Sequence, residues 1–181
     1  MRRLSTALAL VAVMVTGLAL PGCVRNSGPD PGRYYDRDQR FSVKFPEDWM
    51  IREGDGGEYA NVEAVSPWES DYDEFSEYVT VDVEDLESGT DLTSYFKETL
   101  DLQMEDTPGY LEKGRGDATV DDLKAKWVAF DFQSEGGTVS VLGYAFVDHN
   151  NGYLISCVAQ TEKFPLYKSR FEYVVNSFRV E

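Results

Sequence analysis

Thr138-Val-Ser-Val-Leu-Gly-Tyr-Ala-Phe-Val-Asp-His-Asn-Asn-Gly-Tyr-Leu-Ile-Ser-Cys-Val-Ala-Gln160 decides the fold. Two alternating runs flank a turn-forming centre, which is the pattern of a β-hairpin. Asn151-Gly152 has the composition of a two-residue type I′ turn, where both residues take positive φ. That turn places Phe146 opposite Cys157 and Tyr144 opposite Ala159. Leu142, Tyr144 and Phe146 then share one face, and Val139, Val141, Ala145 and Val147 the other. A sheet that is apolar on both faces must be covered on both.

Working outward, strand-like segments at 110–114 and 123–132 precede the hairpin, after a break at Thr107-Pro108-Gly109, and Gly114-Arg-Gly116 reads as a pair of turn glycines. Earlier strands are expected at Phe41–Phe45, closed by Pro46, then at Trp49–Arg52, Asn61–Val65 and Val79–Glu84. Leu92, Tyr95, Phe96, Thr99 and Leu100 recur at helical spacing behind the capping residues Thr90 and Asp91, giving a helix to about Met104. Phe164, Tyr167, Phe171, Val174 and Phe178 define a closing helix, with Pro165 in its first turn. The fold class expected is α+β: a three-layer α/β/α sandwich, its mainly antiparallel sheet covered by helices on both faces, spanning residues 34–181.

The N-terminus reads as an address. Met1-Arg-Arg3 is a positive n-region, and the apolar run Ala7–Leu20 is too short to span a bilayer as a helix. Leu20-Pro21-Gly22-Cys23 resembles the lipobox of bacterial lipoprotein precursors. The resemblance implies a signal peptide at 1–22, cleavage after Gly22 and lipid attachment at Cys23. Several acyl chains give a stable anchor where one is marginal. Residues 24–33 hold two Pro, two Gly and no apolar cluster, and read with Cys23 as a lipidated leash. Val24 stands where an inner-membrane retention signal tends to carry Asp, which favours an outer membrane in a cell with two. With Cys23 lipidated, Cys157 has no partner for a disulfide and reads as a buried thiol.

The chain has 181 residues, 33 acidic and 17 basic, for a net charge of −16. So acidic a balance argues against nucleic acid, which needs a basic stripe. His149 is the only histidine, which removes histidine-rich metal sites and HExxH chemistry. The hairpin turns its side chain away from Cys157, so the two form no dyad. No G-x-S-x-G elbow and no phosphate loop occurs.

The charge is unevenly placed. Between Arg52 and Lys97 there is no Lys or Arg, and fourteen acids. In the densest part Trp68, Tyr72, Phe75 and Tyr78 interleave with Asp71, Asp73, Glu74 and Glu77. A solvated face accounts for such a run. A basic protein partner docking on Trp68, Asp71, Tyr72, Asp73, Glu74 and Glu77 is the functional alternative. A Ca²⁺ ion held through Asp71, Asp73, Glu74 and Glu77 is a further one, although the EF-hand spacing is absent.

Phe41-Ser-Val-Lys-Phe-Pro-Glu-Asp-Trp49, the acidic strand Val79-Thr-Val-Asp-Val83, the aromatic hairpin around Gly143 and Tyr153, and Phe171-Glu-Tyr-Val-Val-Asn-Ser-Phe178 together resemble PsbP-like proteins. These include extrinsic photosystem II lipoproteins, DcrB-like periplasmic proteins and LpqN-like lipoproteins. The resemblance implies an α/β/α sandwich, a lipid anchor and a non-catalytic role in binding or assembly, and it offers no catalytic residues. The expectation is an extracytoplasmic, membrane-anchored, monomeric accessory protein. A carrier or sensor of a small or lipidic ligand held between sheet and helix is the alternative, and a carboxylate-based hydrolase a third reading.

Overall fold

The alternation around Val139 and Tyr153 builds the centre of a seven-stranded sheet in the computed structural model, which describes residues 30–54, 60–70, 73, 75–101, 104, 107–134 and 136–181. The segments expected to be a signal peptide at 1–22 and the start of a lipidated leash, with Cys23, lie outside the described residues. The large sheet contains β3 (Met50–Glu53), β4 (Val62–Val65), β5 (Tyr78–Asp85), β6 (Leu111–Val120), β7 (Leu123–Ser134), β8 (Gly137–Asp148) and β9 (Asn151–Gln160). Its spatial order is β3-β4-β5-β9-β8-β7-β6, with every neighbour antiparallel. A second sheet joins β1 (Tyr34–Asp36), β2 (Phe41–Val43) and β10 (Arg179–Val180), also antiparallel. The helix α1 (Leu92–Phe96) runs on into a π-helical turn at Lys97–Asp101, and α2 (Phe164–Ser177) follows β9.

The hairpin register differs from the expectation. Phe146 pairs with Tyr153 and Tyr144 with Ile155, and the turn falls at His149-Asn150, where His149 takes φ 52°. Asn151-Gly152 is therefore inside β9. Gly152 is required by packing: a Cβ there would stand 2.5 Å from Tyr95 Cζ. Gly114 and Gly116 are likewise strand residues rather than turn residues. The Trp127 indole crosses them, and a Cβ on Gly116 would meet its Nε1 at 3.0 Å. The closing helix stops at Ser177. Phe178 is extended, yet it is buried and packs on Phe146 at 4.9 Å and on Tyr153 at 5.5 Å between ring centroids.

Strand alternation sends two sets of side chains to opposite faces. Odd residues of β9, from Tyr153 to Ala159, join Tyr167, Phe171, Val174 and Val175 of α2 and Phe41 and Val43 of β2 in one core. Even residues Leu154 and Val158, with Val141, Ala145, Val128 and Phe130, join Tyr95, Phe96 and Leu100 in a second. Glycines bring the α1 segment close: Tyr95 lies on Gly152, and Leu100 Cδ1 stands 3.5 Å from the Cβ position of Gly143. The Asp91 carboxylate caps α1 by accepting from the Ser94 N–H at 2.9 Å.

The α1 segment packs on β7 and β8 and reaches β9 through Tyr95. On the same face, β3, β4 and β5 carry Arg52, Glu63, Thr80, Asp82 and Glu84, all partly buried, and Met50, which is half exposed. This leaves a polar floor beside the second core.

Candidate functional site

The loop from Ser66 to Glu77 joins β4 to β5 and closes on the residue that opens α2. Lys163 Nζ lies 3.0 Å from Asp73 Oδ1, 3.3 Å from Glu69 Oε2 and 3.9 Å from Glu77 Oε1. The Tyr167 hydroxyl, one turn further along α2, donates to Glu69 Oε1 at 2.8 Å. Asp73 also accepts from the backbone N–H of Glu69 and of Phe75, which folds the loop back on itself. Ser66 and Glu77 close its base: the Ser66 Oγ donates to Glu77 Oε2 and accepts from the Glu77 N–H.

Glu77 is fully buried, and its Oε1 makes no hydrogen bond. Burial raises its pKa, against the opposing pull of its own backbone N–H and of Lys163. Burial also acts against ionised Asp73, but the Glu69 N–H and Lys163 more than offset it, and its pKa falls. Desolvation alone would lower the Lys163 ammonium; its bonds to Asp73 and Glu69 raise it instead.

The expected docking patch therefore divides. Trp68 is 64% exposed, whereas the carboxylates of Asp73 and Glu77 turn inward onto Lys163. Asp71, Tyr72 and Glu74 lie outside the described residues. Lys163 was invisible to sequence reasoning as a member of this group, because it stands ninety positions from Asp73 and no local spacing links them.

A second set of acids from the same stretch is differently placed. Asp82 and Glu84 project from β5 onto the polar floor beside α1, and among the described residues neither has an ion pair; Thr80 Oγ1 donates to Asp82 at 3.2 Å. Burial pushes the Asp82 carboxyl up to about 6, with Glu84 adding to it, and burial followed by the Glu98 charge raises Glu84. Glu63, on the same floor, is engaged by Arg52 at 3.2 Å.

The remaining candidates fall elsewhere. Cys157 is fully buried in the first core, and desolvation drives its thiol pKa upward. His149 is exposed in its turn, its Nδ1 2.7 Å from Asp148 Oδ2. Among the described residues, no three His, Cys, Asp or Glu side chains gather as a metal ligand set. An open cleft of about 370 Å³ is lined by Arg40, Asp121, Asp122, Asp148, Phe178 and Arg179, among others. The aromatic rings between α2 and the sheet pack on one another, as Trp49 on Phe171 and Phe41 on Phe178 do.

A mostly antiparallel sheet with two helices defines an α+β domain, with the Lys163-centred loop at one end of β5. The sequence pattern of PsbP-like protein matches residues 27–180, so the chain belongs to that family. Solved structures agree in fold. Cyanobacterial PsbP from Synechocystis sp. PCC 6803 is 16% identical, with 82% of this chain and 91% of that chain covered and a TM-score of 0.61. LpqN of Mycobacterium tuberculosis, described as involved in cell envelope biogenesis, is 12% identical over 84% of this chain and 86% of that chain, with a TM-score of 0.62. The Ran-binding protein Mog1p of Saccharomyces cerevisiae is 14% identical over 82% and 94%, with a TM-score of 0.52. No curated protein matches the sequence.

Proposed function

We propose that this PsbP-like chain is an extracytoplasmic lipoprotein, anchored through lipid on Cys23 to a bacterial membrane. In this reading its three-layer α/β/α domain is a non-catalytic binding or assembly accessory. The observation that carries the reading is the docking of Glu69, Asp73 and Glu77 onto Lys163, which fixes the loop bearing exposed Trp68 against α2. A pre-ordered loop with an exposed indole loses little entropy when a partner covers it. The family and its cell-envelope neighbour LpqN support the same reading.

The tether would be short. Asp30 accepts an ion pair from Lys44 at 2.8 Å, and buried Arg33 donates to the Ser177 carbonyl at 2.7 Å, so the end of the leash is part of the domain. Seven residues from Cys23 to Asp30 reach at most ~25 Å, which would hold the domain close to the bilayer.

Replacing Cys23 with Ser is expected to move the protein from the membrane fraction to the soluble one and to abolish labelling by an alkyne fatty acid. Retention and labelling of the variant would contradict the anchor. A photo-crosslinking residue in place of Trp68 is expected to capture a discrete adduct in intact membranes. The same ladder of adducts from position 124 would contradict the docking role.

A further inference from the structure

Exposed apolar side chains gather around α2. Among the described residues five large hydrophobic side chains are exposed, and three of them, Trp68, Leu166 and Tyr173, stand on α2 or on the loop bound to it. Leu166 is 72% exposed and Tyr173 49%. Tyr167, Phe171, Val174 and Val175 face the core, so the opposite line of the helix is Leu166, Ser169, Tyr173 and Asn176, at i, i+3, i+7 and i+10. All four are exposed and none is charged. The charges flanking the line are paired, Lys168 with Glu172 and Arg170 with Asp48. The helix thus holds no unpaired acid and a net charge of +1, from Lys168 and Arg170 against Glu172, in a chain of net charge −16.

The leash joins the domain at the end of this helix. Buried Arg33 donates to the carbonyl of Ser177, the last residue of α2, at 2.7 Å. Lys44, whose backbone N–H donates to the Ser177 hydroxyl, holds Asp30 at 2.8 Å. The seven residues from Cys23 to Asp30, as a flexible chain, have a root-mean-square reach of ~15 Å. The fourteen residues of α2 are ~21 Å long. A lipid on Cys23 therefore holds one end of α2 beside the headgroups, and a rotation of the domain lays the rest of the helix on them. Two exposed apolar side chains bind a membrane only marginally by themselves. A tether makes the contact intramolecular, at an effective concentration on the order of mM, where a weak surface suffices.

We infer that the outer line of α2 lies on the bilayer that the Cys23 lipid enters, with Leu166 and Tyr173 among the lipid headgroups. Tyrosine suits that depth, since its ring is apolar and its tip is polar. An anionic headgroup layer repels the acidic remainder of the chain and meets no unpaired acid on this helix. Trp68 neighbours Glu69, which is bonded to Lys163 and Tyr167 at the start of α2, so the docking loop is carried to the same surface. The inference rests on the proposed lipid anchor and deepens the binding reading: a partner that reaches Trp68 there is itself held in or on the membrane.

The test uses the full lipidated protein in vesicles of phosphatidylethanolamine with phosphatidylglycerol. A nitroxide is attached through Ser169→Cys, in the middle of the line, or through Lys97→Cys, an exposed position on the segment that packs against the second core. Cys157 is fully buried and Cys23 is blocked by its lipid, so each label is unique. Relative to a water-soluble nickel chelate, oxygen is expected to reach the label at position 169 several-fold more readily than the label at 97, because oxygen concentrates in lipid. Leu166→Glu/Tyr173→Glu is expected to bring position 169 to the aqueous values of position 97 while the protein stays on the vesicles. Aqueous values at both positions in vesicle-bound protein would overturn the inference and leave the anchor standing, and so would a lipid-like value that ignores the double variant. An aqueous value at 169 in vesicles, with the label immobilised in native membranes, would give the face to a protein partner and overturn it too. Protein that fails to join the vesicles would contradict the anchor and the inference together. Both replaced side chains are exposed, and a urea midpoint for the double variant checks that the fold is kept.

Discussion

Tyr95 lies flat on Gly152. The Cβ that any other residue would place there falls 2.5 Å from the ring's Cζ and 2.6 Å from Cε2. Gly152→Ala is therefore expected to destabilise the domain by ~1–3 kcal/mol, the usual cost of overpacking, measured by urea denaturation. Tyr95→Phe keeps the ring but removes an unsatisfied hydroxyl, so it is expected to be neutral or mildly stabilising. A Tyr95→Phe loss as large as that of Gly152→Ala would show that the hydroxyl has a partner after all.

The same glycine shows what local reading of the hairpin misses. Asn151-Gly152 is a strong turn signal, but the glycine answers to a tyrosine fifty-seven positions earlier, and the turn moves to His149-Asn150. Gly114 and Gly116 repeat the lesson, since they make room for Trp127 across the sheet. Strand identity and the two-faced core were legible because alternation is a local property. The pairs β1-β2 and β2-β10 were not, because strands of two or three residues hold no pattern. The acidic stretch was legible as a whole; its division was not, since Lys163 follows β9, the strand that pairs with the start of β5, and stands ninety positions from Asp73 in sequence.

Lys163 organises three acids, so its removal should cost more than a surface pair. Lys163→Met leaves Asp73 and buried Glu77 facing each other without a counter-charge, and a loss of ~2–3 kcal/mol is expected, at or below the usual cost of breaking a buried pair because Lys163 keeps some exposure. Adding Glu77→Gln should recover part of it. A thermal midpoint unchanged by Lys163→Met would show that the loop is held by its backbone hydrogen bonds alone.

The pH dependence of stability follows from the directions of the shifts. Asp82, raised from 3.8 to about 6, binds its proton more tightly in the folded state, so ionising it above pH 6 costs stability and lowering the pH from 7.5 to 5 restores it. The gain expected is ~1–2 kcal/mol, less than the full shift because the carboxylate still meets water. Asp73 has the opposite sign: its contribution is present above its unfolded pKa near 4 and is lost as the pH falls further. Stability should thus rise from pH 7.5 to about 5 and then decline. Asp82→Asn is expected to flatten the first part while leaving the second.

Site-resolved carboxyl ¹³C titration by NMR measures directly whether the acidic third consists of two unlike sets. Asp82 is expected to titrate near 6, Glu84 and Glu77 above the ordinary range, and Asp73 below it. Ordinary values at all four positions would mean a uniformly solvated skin, and would contradict both the Lys163-locked loop and the open Asp82–Glu84 pair.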